Sequence, residues 1–318
     1  MRIPFLLAAF ILLATFAPPG LQRRDPPPAV SLVRFEPVPL EESAPATARL
    51  GRLTFLGGWS LTSNDERFGG ISALHVEGGA VLALSDAGWR SSFPLPGLRP
   101  SVRAAIAMME AGPGLAAAKE NRDAESLVVA AGALWVGYEQ VNSVARYDRR
   151  DFALRASAGP AAMRGWTGNR GAEGMVRLAD GRFLVFNEGR GGDSEALLFA
   201  GDPAEAGTAA IRLRYRPPPG FRITDAALLP DGRLALLHRR VGLFEGFTAR
   251  LTIARLPALA AGTLIEGEEA AAFDGGVTRD NFEALSASLE GGRTILWIAS
   301  DDNFNKLQRT LLLKFALE

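Results

Sequence analysis

Short apolar runs separated by glycine-rich turns recur along the chain from about residue 50 onward. Five stretches share one order: an acid or glycine, a short apolar strand, a glycine turn, a second apolar strand and a polar exit. They are FGGISALHVEGGAVLALSDAG (68–88), DAESLVVAAGALWVGYEQ (123–140), GAEGMVRLADGRFLVFNEG (171–189), ITDAALLPDGRLALLHRR (223–240) and NFEALSASLEGGRTILWIASDDN (281–303). Their turns carry the glycine that tight hairpins need. Glu125, Glu173, Asp225 and Glu283 follow one another at 48, 52 and 58 residues, and Gly70 holds the corresponding place 55 residues before Glu125. Repeats near 50 residues with several strands each predict an all-β fold, a β-propeller with one blade per repeat. Residues 31–66 and 304–318 are left over, and together they predict a sixth blade. The expectation is therefore six blades of about four strands, closed by pairing of the tail strand TLLLKFAL with N-terminal strands such as ARLGRLTFLGG. A β-sandwich is the competing reading. Residues 101–123 read as an insertion with a turn or two of helix before Gly112-Pro113-Gly114.

In a hairpin the start of the first strand and the end of the second share an edge. Glu139 and Glu188 each follow their turn glycine by seven residues, as do Asp86 and Arg239, while Asp301 follows its glycine by nine. If these hairpins are the inner strands of their blades, Asp86, Glu125, Glu139, Glu173, Glu188, Asp225, Glu283 and Asp301 gather at one mouth of the central channel. So many carboxylates cannot all stay ionised without cations, because like charges raise one another's pKa. Hard oxygen donors in number, with at most one histidine nearby, favour Ca²⁺ over zinc or copper. Arg146, Arg170, Arg190, Arg239 and Arg240 lie near the same rim in sequence and could neutralise acids or bind an anion. The plainer role of Glu125, Glu173, Asp225 and Glu283 is architectural, bonding backbone N–H groups of a neighbouring turn. Asp302, Asn303 and Asn305 read as an Asx-type turn. His238 is a candidate base; His75, inside a strand, reads as structural.

Composition narrows the chemistry. Equal numbers of basic and acidic residues give no electrostatic case for nucleic acid. The absence of cysteine excludes disulfides, thiolate catalysis and Cys-ligated zinc. No G-x-S-x-G nucleophile elbow is present, and two histidines leave little room for a serine triad. The opening MRIPFLLAAFILLATFAPPG reads as a secretory signal over residues 1–17 with a T-F-A cut, or as a retained anchor. Residues 18–30 then form a Pro-rich linker, and 31–318 the propeller. This predicts a periplasmic or secreted protein.

FGGISAL, LALSDAG, DAESL, NRGAEGMVRLADGRFLVFNEG, ITDAALLPDGRLALLHRR, NFEAL and ASDDNFNKLQRTLLLKF together resemble the motif series of the phytase-like propeller family, described as having esterase-like activity of phytase. The resemblance runs from about residue 50 to 318, and SDDNF…QRTLLL is its most specific part. It implies an exported bacterial six-bladed propeller related to calcium-dependent phytases, whose channel-mouth carboxylates bind calcium that holds phosphate and activates water. Gln140 and Asn142 stand where family members tend to carry Arg and His, and His238 where they tend to carry an acid. The function expected is a Ca²⁺-dependent hydrolase of a phosphate ester or related ester. Asp86, Glu139, Glu188 and Asp301, with Asp225 and Glu283 in the wider set, would hold metal. Glu173 or Glu125 would orient water, and Arg170 or Arg239 would receive the anion. The alternative is a non-catalytic ligand- or protein-binding propeller with a structural calcium site. As to partners, a monomer meeting a small anionic ester is expected, with no membrane association beyond a possible N-terminal anchor.

Overall fold

The computed structural model describes residues 26–46, 48–97, 99–109, 112, 122–166, 170–189 and 192–318. The signal segment and most of the linker, with Arg190, lie outside them. Among the described residues, no helix is long and apolar enough to cross a membrane.

Each of the five repeats opens one sheet. The inner and second strands are Ile71–Glu77 and Ala80–Ser85 in the first blade, Ala124–Ala130 and Ala133–Tyr138 in the second, and Ala172–Arg177 and Phe183–Asn187 in the third. In the fourth they are Arg222–Leu228 and Leu234–Gly242, and in the fifth Phe282–Glu290 and Arg293–Ser300. The turn glycines Gly79, Gly132, Gly181, Gly232 and Gly292 all have positive φ, which a side chain would strain. Four sheets have four or five strands; the fifth has seven. The hydrophobic core is divided accordingly into clusters lying between successive blades. Alternate residues of a strand serve opposite neighbours. Leu234 and Leu236 face the third blade, whereas Ala235 and Leu237 face the fifth. That two-sided burial explains why LALLH reads as one apolar run.

The expectation of six blades is corrected to this five-sheet arrangement. The residues assigned to a sixth blade do form strands, but they extend the fifth. Its order runs from Phe282–Glu290 through Arg293–Ser300 and Thr310–Leu317 to Leu53–Ser63, Leu32–Pro37 and Ser101–Arg103. The tail strand is apolar on both faces, so it needs a partner along each edge, and it pairs with Leu53–Ser63 within that sheet instead of founding another. The fifth blade then meets the first directly. The Val76 N–H donates to Ser286 Oγ at 3.0 Å, and the Gly70 N–H to Asp302 Oδ1 at 2.8 Å. Trp59 and Trp297 stack at 6.2 Å between ring centres in this wide sheet. The helix expected after residue 101 is corrected over the described part of that insertion, where Ser101–Arg103 and Ala105–Met108 are edge strands of the fifth and first blades; residues 110, 111 and 113–121 lie outside the described residues.

Candidate functional site

In every blade the pairing of the two inner strands skips one residue near the start of the innermost strand. The skipped residues are Ser72, Glu125, Glu173, Thr224 and Glu283. A bulge of this kind re-aims a side chain without breaking the sheet. Just past the last residue paired to the innermost strand stand Asp86, Glu139, Glu188 and Asp301; Arg239 holds the equivalent position in the fourth blade but is itself paired, with Arg222. A third row opposite them consists of Gly70, Asp123, Gly171, Arg222 and Asn281, and its carbonyls receive the N–H groups of Asp86, Glu139 and Asp301 at 3.2, 2.9 and 2.9 Å. The last row carries the two site residues that sequence reasoning missed, Asp123 and Arg222. Their signal was positional, since Asp123 begins its repeat and Arg222 immediately precedes one.

Asp123, Glu125 and Glu139 each offer a carboxylate oxygen within 4.8 Å of the others, a group that could hold a metal ion. Burial raises Glu125 well above the usual carboxylate range, with the negative charges of Asp123, Glu173, Glu283 and Glu139 adding to it. Burial likewise lifts Glu139 to about 7, with Asp123 adding and its hydrogen bond with Glu173 opposing. Glu173 is raised by burial and then by Glu139 and Glu188. On the far side, burial raises Asp301, joined by the charges of Glu283 and Asp86. Burial raises Glu188 too, although Arg239 and Arg222 pull it down. These mutual influences describe one acidic patch spanning four blades.

Two guanidinium groups answer it. Arg239 donates to Glu283 and, at 2.6 Å, to Asn281 Oδ1, and lies 3.7 Å from Glu188. Burial alone would lower its pKa, but Glu283, Glu188 and Glu173 outweigh that and raise it. Arg222 reaches Glu188 at 3.3 Å from a half-exposed position.

Two candidates stand elsewhere. Asp225 lies one residue beyond the skipped Thr224 and turns into the sheet. Its carboxylate accepts the N–H groups of Leu285 and Ala226, each at 2.7 Å, tying the fourth blade to the fifth. His238 is fully buried; it pairs through Nε2 with the Tyr215 hydroxyl and through Nδ1 with the Arg250 carbonyl at 3.0 Å. Burial lowers it to about 4, so it stays neutral in the wall between blades. Arg170 immediately precedes Gly171 of the third row, and its backbone carbonyl accepts from Asn187. Asp302 bonds the N–H groups of Gly70 and Phe304 and the Thr310 hydroxyl.

The chain is similar to several solved structures. Myxococcus xanthus glutaminyl cyclase is 10% identical with a TM-score of 0.47, covering 85% of this chain and 100% of that one. The α-L-arabinofuranosidase PaAbf62A of Podospora anserina is 10% identical with a TM-score of 0.47, covering 89% and 96%. Cellvibrio cellulosa α-L-arabinanase is 13% identical with a TM-score of 0.43, covering 75% and 89%. No curated protein matches the sequence. The family model for phytase-like proteins, described as esterase-like activity of phytase, matches residues 66–304. That span holds all five inner hairpins and every carboxylate of the rim, and the chain belongs to the phytase-like family.

Proposed function

We propose that this protein is an exported, calcium-dependent hydrolase of a phosphate ester or related anionic ester, working at the acidic mouth of the propeller. Family membership supports a hydrolytic activity of the phytase or esterase kind. The observation that carries the reading further is the convergence of Asp123, Glu125 and Glu139 within 4.8 Å at a buried rim.

The donor set fits a hard cation. Its atoms are all carboxylate oxygens, and mutual repulsion leaves them short of positive charge. Asp123, Glu125 and Glu139 would hold calcium, with Asp86, Glu188, Glu283 and Asp301 extending the negative field around it. When bound, calcium there supplies positive charge that polarises an ester oxygen and makes water more acidic. The protein's own groups do the rest. Arg222, half-exposed and bonded to Glu188, offers an anion two-pronged donors at the entrance. Arg239, held by Glu283 and Asn281, fixes positive charge deeper in. Glu173 sits in hydrogen-bond contact with Glu139, so a proton can be kept on one carboxylate of this pair and taken up by the other.

Purified protein assayed on aryl phosphates and aryl acetates, with calcium and with chelator, tests the proposal. Turnover that chelator abolishes and calcium restores is expected. No turnover of either substrate class under any metal condition would sink it. The pairing of Arg239 with Glu188 and Glu283 favours a second reading, a binding propeller in which calcium only stabilises the fold. Calcium would then raise the melting temperature without any turnover.

A further inference from the structure

Beside the acidic mouth, on the same rim, lies a crevice of about 560 Å³. The second strand of the fourth blade carries Arg239 at the rim and runs on through Val241 to a hairpin tip at Phe244. The opposite wall comes from Val277 and from Leu307 in the loop that leaves Asp301. Asp280 lines the crevice and is the neighbour of Asn281, which holds both Arg239 and Glu283. Gln308, another wall residue, accepts from Asn303 at 2.9 Å, and the Asn303 N–H donates to Asp301. Crevice and acidic cluster are thus joined by single residues.

The crevice's guanidinium groups are spent on its walls. Arg279 donates to the carbonyls of Phe247, Gly275, Val277 and Glu245, bracing the hairpin tip against the facing loop. Arg309 is held by Asp280 and the Arg279 carbonyl. Besides the exposed acids Glu42 and Glu245, what faces outward is apolar: Phe244 is 81% and Leu307 69% exposed, the two most exposed large apolar side chains among the described residues. Large apolar groups held open around a concavity mark a ligand site more than a plain surface.

We propose that this crevice binds an apolar group, aryl or short alkyl, of the ester on which the acidic mouth acts, so that the substrate is amphiphilic. The inference rests on the hydrolase reading for what the mouth does, but its test does not need turnover. Binding of 1-naphthylmethylphosphonate and methylphosphonate, neither of which is an ester, is measured by calorimetry in calcium. Wild-type protein should prefer the naphthyl compound by about tenfold. Phe244→Ser and Leu307→Ser should each cut that preference to below about threefold, with methylphosphonate binding unchanged. Leu289→Ser serves as control, since Leu289 is 62% exposed but belongs to the turn at the other end of its hairpin. An equal affinity for the two compounds in wild type, or equal losses in all three variants, would overturn the proposal. So would vesicles of phosphatidylcholine that retain wild type but not Phe244→Ser when the two phosphonates bind alike, which would give these side chains to a membrane surface. A protein that hydrolyses no ester yet shows the expected selectivity overturns the hydrolase and supports the crevice.

Discussion

Glu139, at the exit of its hairpin, and Asp225, near the start of its own, are both buried acids, yet their surroundings give them opposite jobs. Asp225 is surrounded by donors: two backbone N–H groups at 2.7 Å satisfy its oxygens. Glu139 accepts one long bond from the Gly171 N–H at 3.4 Å and shares a hydrogen bond with Glu173, but burial and the charges of Asp123 and Glu188 act against its ionised form. Removing the first should therefore damage the fold, and neutralising the second should relieve it. Asp225→Ala leaves the Leu285 N–H unpaired in the interior and should lower unfolding free energy by about 2 kcal/mol. Its stabilisation by calcium should persist, which a melting curve with and without calcium would show. Glu139→Gln should raise the melting temperature of the metal-free protein at neutral pH and abolish most of the calcium effect. It should also lower turnover at least about 100-fold if the rim is catalytic. A Gln variant as calcium-responsive as wild type would remove Glu139 from the metal site.

At the scale of the strand, the sequence was most readable where one residue does one thing. The turn glycines and the exit residues Asp86, Glu139, Glu188, Arg239 and Asp301 occupy equivalent places in the blades, as their spacing suggested. The bulges were not readable, because alternation of period two gives no sign of a skipped residue. That is why Asp225 aligned with Glu125, Glu173 and Glu283 although Thr224 is their counterpart. Blade number was equally hidden. Nothing local in TLLLKFAL distinguishes a strand that starts a sheet from one inserted between Arg293–Ser300 and Leu53–Ser63. The inserted arrangement makes the tail a load shared by both ends of the chain. Leu313, fully buried among the fourth and fifth blades, should then be costly to trim. Leu313→Ala should lower the urea-unfolding free energy by about 3 kcal/mol. A loss below about 1 kcal/mol would mean that the tail packs more loosely than its burial indicates.

For the whole molecule, the ring of blades sets an electrostatic problem that no blade has alone. Each contributes at most a few carboxylates, but closure brings Glu125, Glu173 and Glu283 from three different blades into mutual repulsion. Protons or metal must balance them, and the two balance with opposite pH dependence. The Glu139 carboxyl is raised from 4.5 to about 7, so the folded protein holds a proton that the unfolded chain has released. Below about pH 4.5 both states are protonated and this group costs nothing. Between about pH 4.5 and pH 7 the unfolded chain ionises while the folded carboxyl keeps its proton, and stability falls, on the order of 3 kcal/mol in full. Glu125 and Glu173 are shifted in the same direction and steepen the fall. Calcium reverses the sign, because it binds the deprotonated carboxylates and is favoured as they ionise. Melting temperatures between about pH 5 and pH 8 should therefore decline in chelator and rise in millimolar calcium, the gap widening with pH. Parallel curves in the two buffers would show that the rim carboxylates are balanced by Arg222 and Arg239 alone.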